Sequence, residues 1–255
     1  MQDIKKNELK PHLKKCWCIA QKENAGFVAA MEDVLEVYSR PYDENNPVIC
    51  MDEKPIQLLS DVREGFCSQE SAKYYYDSEY ERQGTASIFL FTEPLGGWRF
   101  AKALPRRTKK DWASQIQWLV EEIYSEAKKI ILVMDNLNTH NYSSLYEKFE
   151  PERAFRLMKR LEIHYTPKHG SWLNIAEIEL SALTQQCLSK RRISSMEELN
   201  NEIGIWSKDR NQKQKGVNWQ FTTEEARIKL KPLYRKSAFS SYSLLVSKGL
   251  HELND

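Results

Sequence analysis

The chain has 255 residues, 41% of them hydrophobic and 29% charged, with a formal net charge of +2. This is enough for one large domain or two small ones with a filled core, and no run approaches the ~20 consecutive apolar residues of a membrane span. The first fifteen residues are polar and lysine-rich rather than leader-like, so the expectation is a soluble cytoplasmic protein with no membrane role.

Residues 1–22 are basic and lack a core pattern, and Phe27, Met31, Val34, Leu35 and Tyr38 follow at helical spacing. After a turn-rich loop from Pro41 to Pro47, the apolar run Val48-Ile49-Cys50-Met51 predicts a strand ending on Asp52, with a second short strand over Ile56 to Leu59. Gly65 to Gln83 reads as mostly irregular. Thr85 to Thr92 and Trp98 to Ala103 read as a hairpin around Glu93-Pro94-Leu95-Gly96-Gly97. A helix is predicted from near Thr108, with Asp111 in its first turn and Trp112, Ile116, Leu119, Val120 and Ile123 as its stripe.

Ile130-Ile131-Leu132-Val133-Met134 predicts a buried strand ending on Asp135. Helical patterns over 142–148 and 151–160 precede a short strand, Leu161 to Tyr165. A long helix should begin at Ser171 or Trp172, with Ser171 able to cap it, and further helices cover 196–209 and 222–230. The tail from 236 to 255 is serine-rich with little pattern. This alternation of strands and helices is an α/β order. The nucleotide-cradling G-x-G-x-x-G and G-x-x-x-x-G-K loops are absent.

Two strands that both end on an aspartate carry the strongest chemical signal. Neighbouring strands lie roughly 5 Å apart, so Asp52 and Asp135 would repel each other unless a cation lay between them. An oxygen-only ligand set suits magnesium or manganese. A third acid lies in the long helix, where Glu177 and Glu179 fall on opposite edges of the stripe Trp172, Leu173, Ala176, Leu180, Leu183 and Cys187. Periodicity leaves both open. The duller alternative is that the aspartates only cap strand ends.

The segments Met51-Asp52-Glu53-Lys54-Pro55, Met134-Asp135-Asn136-Leu137-Asn138-Thr139-His140 and His169-Gly170-Ser171-Trp172-Leu173-Asn174-Ile175-Ala176-Glu177 resemble the DDE-type transposases of the mariner-like bacterial insertion-sequence family. The resemblance runs from about residue 5 to about residue 235. It implies a ribonuclease H-like fold with a mixed central sheet of about five strands flanked by helices. It also implies a catalytic, metal-binding trio of Asp52, Asp135 and Glu177 on two Mg2+ ions, with Mn2+ able to substitute. Asp52 would bridge the ions, with Asp135 on one and Glu177 on the other. Between Asp135 and Glu177 lie 41 residues, a somewhat longer spacing than in animal members of the superfamily.

The implied organisation is a basic join and helix over 1–40, left from the end of a missing helix-turn-helix region, a catalytic domain over 41–235, and a loose tail over 236–255. The implied partners are double-stranded DNA at element ends and target, a second copy on that DNA, and a separate N-terminal DNA-binding polypeptide. In the cell the protein would lie at the bacterial nucleoid.

Basic residues concentrate around this frame. Arg99 to Lys110 holds six basic residues and no acid, and Arg106, Arg107, Lys109 and Lys110 are candidates for a salt-sensitive grip on DNA phosphates. Lys190-Arg191-Arg192 and the group Lys208, Arg210, Lys213 and Lys215 are further concentrations. Lys168 and His169 are placed to touch the scissile phosphate, and Trp172 is a candidate for stacking on a base, although a core role competes. Asn136, His140 and Asn174 are candidates for orienting the acids. Five scattered cysteines (Cys16, Cys18, Cys50, Cys67 and Cys187) argue against a disulfide framework. His12, Cys16 and Cys18 lack the second ligand pair of a zinc finger. The expected function is DNA strand cleavage and strand transfer. The alternatives are another ribonuclease H-like nuclease or a truncated, non-catalytic DNA-binding regulator.

Overall fold

The computed structural model describes residues 24–63, 65–67, 74–75, 77–189, 191–214, 216–231 and 233–234. The expectations for the basic join before residue 24, the trio His12, Cys16 and Cys18, the single lysines Lys190 and Lys215, and the tail 236–255 lie outside the described residues.

Helix α1 spans Asn24–Ser39 and is followed by a 14-residue strand, β1, over Val48–Asp61. Two short strands, β2 (Phe66–Cys67) and β3 (Tyr74–Tyr75), pair with each other, and β4 (Tyr80–Glu93) and β5 (Trp98–Leu104) form the long hairpin. Helix α2 (Lys109–Trp118) runs into a π-type turn over Leu119–Ile123, and β6 follows at Ile130–Met134. After α3 (Tyr142–Lys148) and α4 (Pro151–Lys159), β7 covers Leu161–Tyr165. Helix α5 spans Ile175–Leu183, α6 Met196–Gln212 and α7 Thr223–Lys229.

The central sheet has five strands in the order β5-β4-β1-β6-β7. Strand β4 is antiparallel to its two neighbours, β5 and β1, whereas β6 runs parallel to both β1 and β7. This is the mixed α/β sheet expected from the sequence.

Strand alternation divides the core cleanly. Cys50, Ile88, Leu90, Ala101, Ala103, Ile131 and Val133 face a cluster completed by α1, α5 and α6. Ile49, Met51, Phe89, Phe91, Ile130, Leu132 and Met134 face a second cluster with Trp112, Ile116, Leu145 and Leu157 from α2, α3 and α4. Each fully buried large side chain of this kind contributes about 1.5–3 kcal/mol. Helix α1 therefore packs in the same core as the sheet, with Met31 and Val34 fully buried.

Several predicted elements change. The first strand does not stop at Asp52, and the predicted pair of strands is one. Proline is tolerated at position 55 because β6 pairs with β1 only as far as Cys50 and Val133, so β1 has a free edge beyond that point. Pro55 stands opposite Ser87 in the β4 register. The stretch read as irregular contributes β2, β3 and the first residues of β4. The β5 edge is closed by side chains. Asn211 accepts from Arg99 N (2.9 Å) and donates to Arg99 O (2.8 Å), and Asn200 does the same for Ala103 (2.9 and 3.1 Å). Two asparagines of α6 thus take the place of a sixth strand and cover an edge open to unwanted pairing.

Candidate active site

The sheet sets the two aspartates level. Strands β1 and β6 pair from Val48↔Ile131 to Cys50↔Val133, and that register carried on by two residues would bring Asp52 level with Asp135. Asp52 alternates with Cys50, so it points to the α1–α5–α6 face. Its Oδ1 accepts from the backbone N–H of Glu53 at 2.7 Å.

Helix α5 is fastened to this spot by its cap. Asn174, not Ser171, is the N-cap. Ser171–Leu173 forms a separate 3-10 turn, because the chain is still turning out of the Pro167–Gly170 loop there. Asn174 Oδ1 accepts from Ala176 N at 3.1 Å, and its Nδ2 donates to the carbonyl of Met51 at 2.9 Å. One fully buried side chain therefore starts the helix and pins it to the residue before Asp52. Tyr38 adds a second anchor, donating to Leu173 O at 2.7 Å.

Glu177 then falls in the first turn of α5. It lines a cavity of about 360 Å³ with Asp52, Glu53, Lys54, Leu180, Ser181, Thr184 and Gln185. An adjoining cavity of about 500 Å³ shares Glu177, Ser181 and Gln185 and reaches Trp172 and Asn174.

The charges in this corner press on one another. Burial, with the negative charges of Asp135 and Glu177 adding to it, raises the Asp52 carboxyl to about 7, against the downward pull of the Glu53 N–H. Asp135 is turned to His140, whose Nδ1 lies 2.8 Å from Asp135 Oδ1. The other imidazole nitrogen, Nε2, is 3.0 Å from Glu53 Oε1. Burial works against the charged imidazole, but the bonds to Asp135 and Glu53 outweigh it and lift His140 to about 9.

The three acids supply oxygen donors only, and two of them line one cavity. That donor chemistry fits a hard divalent cation. Among the described residues, no three of His, Cys, Asp or Glu are drawn together closely enough to grip an ion.

Glu179 has a different setting. It is 1% exposed, its Oε2 is 3.2 Å from the Nε of the equally buried Arg99, and Arg210 clamps it through two bonds of 3.0 and 3.1 Å. The structure thus separates the two glutamates that helical periodicity leaves equivalent.

The remaining predicted residues scatter. Asn136 is exposed in the loop after β6, while His140 is fully buried and stacks on Trp112 with centroids 6.0 Å apart. Lys168 and His169 are exposed in the loop before α5, where His169 holds a φ of 63°. Trp172 is half-buried, tilted against Phe221 at 6.1 Å. Of the basic patch, Arg106 and Lys110 are exposed. Lys109 pairs with Glu147 at 2.5 Å, and Arg107 lies 4.0 Å from Glu53 Oε2.

Arg99 leaves the patch altogether, buried as the partner of Glu179. Arg210 is likewise committed to Glu179, Arg191 to Glu202, Lys213 to Asp209 and Arg192 to Asp61. Those basic runs are therefore largely internal pairing. Sequence reasoning gave Glu53 no role. The signals available were its place beside Asp52 and the spacing of His140 after Asp135.

A family model described as DDE superfamily endonuclease matches residues 47–200. That span begins just before β1 and ends inside α6. Among solved structures, the chain resembles the Mos1 mariner paired end complex with Mn at 15% identity and a TM-score of 0.50, covering 78% of this chain and 61% of that one. The Mos1 transposase paired-end complex with left transposon end matches at 14% identity and 0.51, over 78% and 60% of the two chains. The mariner Mos1 paired end complex with Mg matches at 12% identity and 0.52, over 89% and 68%. The chain thus spans less than two thirds of the first of these, and likeness at such identity speaks for the fold: a ribonuclease H-like sheet with flanking helices. No curated protein matches the chain in sequence.

Proposed function

Because the chain belongs to the DDE superfamily endonuclease family, we propose that it is the catalytic part of a metal-dependent DNA transposase that cuts DNA strands and joins the freed 3′ end to a target. The observation that carries this reading is that Asp52 and Glu177 line one cavity, Glu177 on a helix pinned by Asn174 to the carbonyl before Asp52, while the charge of Asp135 reaches Asp52 from the end of the neighbouring strand.

In this reading Asp52, Asp135 and Glu177 hold two divalent cations, with magnesium the natural occupant and manganese a substitute. When bound, such ions supply Lewis acidity that makes a water or 3′-hydroxyl a competent nucleophile and neutralises the leaving oxygen. The protein's own work is placement. Asp52 faces the cavity from β1 and Glu177 from α5, and Asp135, at the end of β6, lies near enough for its charge to press on Asp52. The side chains Lys54, Ser181, Thr184 and Gln185 form the remaining wall. Arg106, Arg107 and Lys110 would follow the DNA backbone without reading its sequence. Lys168 and His169 stand on the loop leading into α5, where an incoming phosphate would pass. A second copy of the chain would act on the partner end.

The test is strand cleavage by the purified chain on duplex DNA bearing element ends, with an RNA–DNA hybrid as comparison. Cleavage of the duplex that requires Mg2+ or Mn2+ and disappears in Glu177→Ala supports the reading. Preferential cutting of the hybrid would point to another ribonuclease H-like nuclease. Metal-independent DNA binding with no cleavage at all would make the chain a regulator.

A further inference from the structure

The β1–β6 pairing ends at Cys50 and Val133, so among the described residues no backbone pair fixes the distance between the two aspartates. Yet the residues that accompany them in sequence meet. Glu53 alternates with Asp52 along β1, so its side chain turns to the face of Met51. There its Oε1 lies 3.0 Å from His140 Nε2, and the far side of the same ring, Nδ1, lies 2.8 Å from Asp135 Oδ1 and 3.3 Å from the Asp135 carbonyl.

His140 has no room to swing. Its side chain is 0% exposed, Trp112 stacks on it, Tyr165 donates to its carbonyl at 2.7 Å and its own N–H donates to Leu137 O at 2.9 Å. The Glu53 side chain is 2% exposed. A side chain so deeply buried keeps its polar atoms only where the protein supplies partners for them.

We infer that Glu53 is a positioning residue: acting through His140, it fixes the place and orientation of the Asp135 carboxylate relative to Asp52. This inference rests on the proposed metal site and deepens it. The chain Glu53–His140–Asp135 is a carboxylate–imidazole–ligand series, the arrangement by which an outer partner orients a metal-binding group. The two aspartates are bridged on the far side of the sheet by a strut that replaces the missing backbone pairs.

The test is Mn2+ titration of the full-length chain, read from the free-ion electron paramagnetic resonance signal, beside thermal unfolding. Glu53→Ala is expected to weaken Mn2+ binding roughly 10- to 100-fold. Glu53→Gln, whose amide oxygen still accepts from His140, should stay near wild type. Because the two residues act in series, Glu53→Ala with His140→Ala should bind Mn2+ no worse than His140→Ala alone.

An unchanged Mn2+ affinity in Glu53→Ala with a lowered unfolding midpoint would overturn the inference, leaving the pair a merely structural one. So would a Glu53→Gln chain as weak as Glu53→Ala. A wild-type chain that binds Mn2+ but cleaves no DNA would sink the proposed function while the strut is still read from affinity. A wild-type chain that binds no Mn2+ would overturn both.

Discussion

Glu177 and Glu179 stand two residues apart on one helix and have opposite fates. Glu179 is sealed against Arg99 and clamped by Arg210, so its charge is satisfied by the protein. Glu177 opens on a cavity shared with Asp52, where the neighbouring charges are negative. The first acid holds α5 and α6 to β5. The second joins Asp52 and Glu53 in a cavity wall whose one basic side chain among the described residues is Lys54, a place where a cationic ligand is favoured. The difference teaches how to read an acidic residue in this fold: ask which side supplies the countercharge.

The largest effects should break one half of that contrast. Replacing Asp52, Asp135 or Glu177 by alanine should reduce metal-dependent DNA cleavage to background, measured on a labelled duplex, with DNA binding retained. Asp52→Asn should also raise the thermal midpoint of the metal-free chain, since it removes a charge that burial and two acidic neighbours disfavour. A lower midpoint would mean that the repulsion is already relieved.

Glu179→Ala breaks the other half. The structure makes it a stability lesion, because Arg99 would keep a buried charge without its acid partner. The expected loss is about 3–5 kcal/mol in urea unfolding, with cleavage falling only as far as the folded fraction falls.

Asn174→Ala sharpens the comparison by moving Glu177 without touching it. Losing the cap and leaving Met51 O unsatisfied should cost about 1–3 kcal/mol, and cleavage per folded molecule should drop as well.

Smaller effects belong to the surface. Arg106→Ala with Arg107→Ala should weaken DNA binding evenly across sequences and flatten the log–log salt slope by roughly 0.9 per lost phosphate contact. An unchanged slope would remove that patch from the DNA path. Lys109→Ala, which breaks an exposed pair with Glu147, should shift stability by about 0–1 kcal/mol.

Some of this was legible in the sequence and some was not. The β6 strand was plain, because both its faces are buried and Ile130–Met134 is therefore apolar throughout. The helix start at Thr108 was equally plain, since Thr108 and Asp111 form a capping box. The length of β1 was hidden by Glu53-Lys54-Pro55, which is tolerated only because β6 ends early. The choice between Glu177 and Glu179 depended on Arg99 and Arg210, from β5 and α6, which no local pattern could bring into view. The basic runs misled for the same reason: charge along the chain does not show which cations have partners across the fold. Asn200 and Asn211 gave no sign that they would close a sheet edge, because asparagine on a helix looks like solvent-facing filler.

The central claim is that Asp52, Asp135 and Glu177 gather around shared divalent cations. Iron(II) bound in place of magnesium, with ascorbate and peroxide, cuts polypeptide backbone beside the ion, and the fragments map the site directly. The account predicts cuts near residues 52, 135 and 177 together, suppressed by excess Mg2+ and absent in Asp135→Ala. Fragmentation at other positions only, or at one of the three without the others, would contradict it.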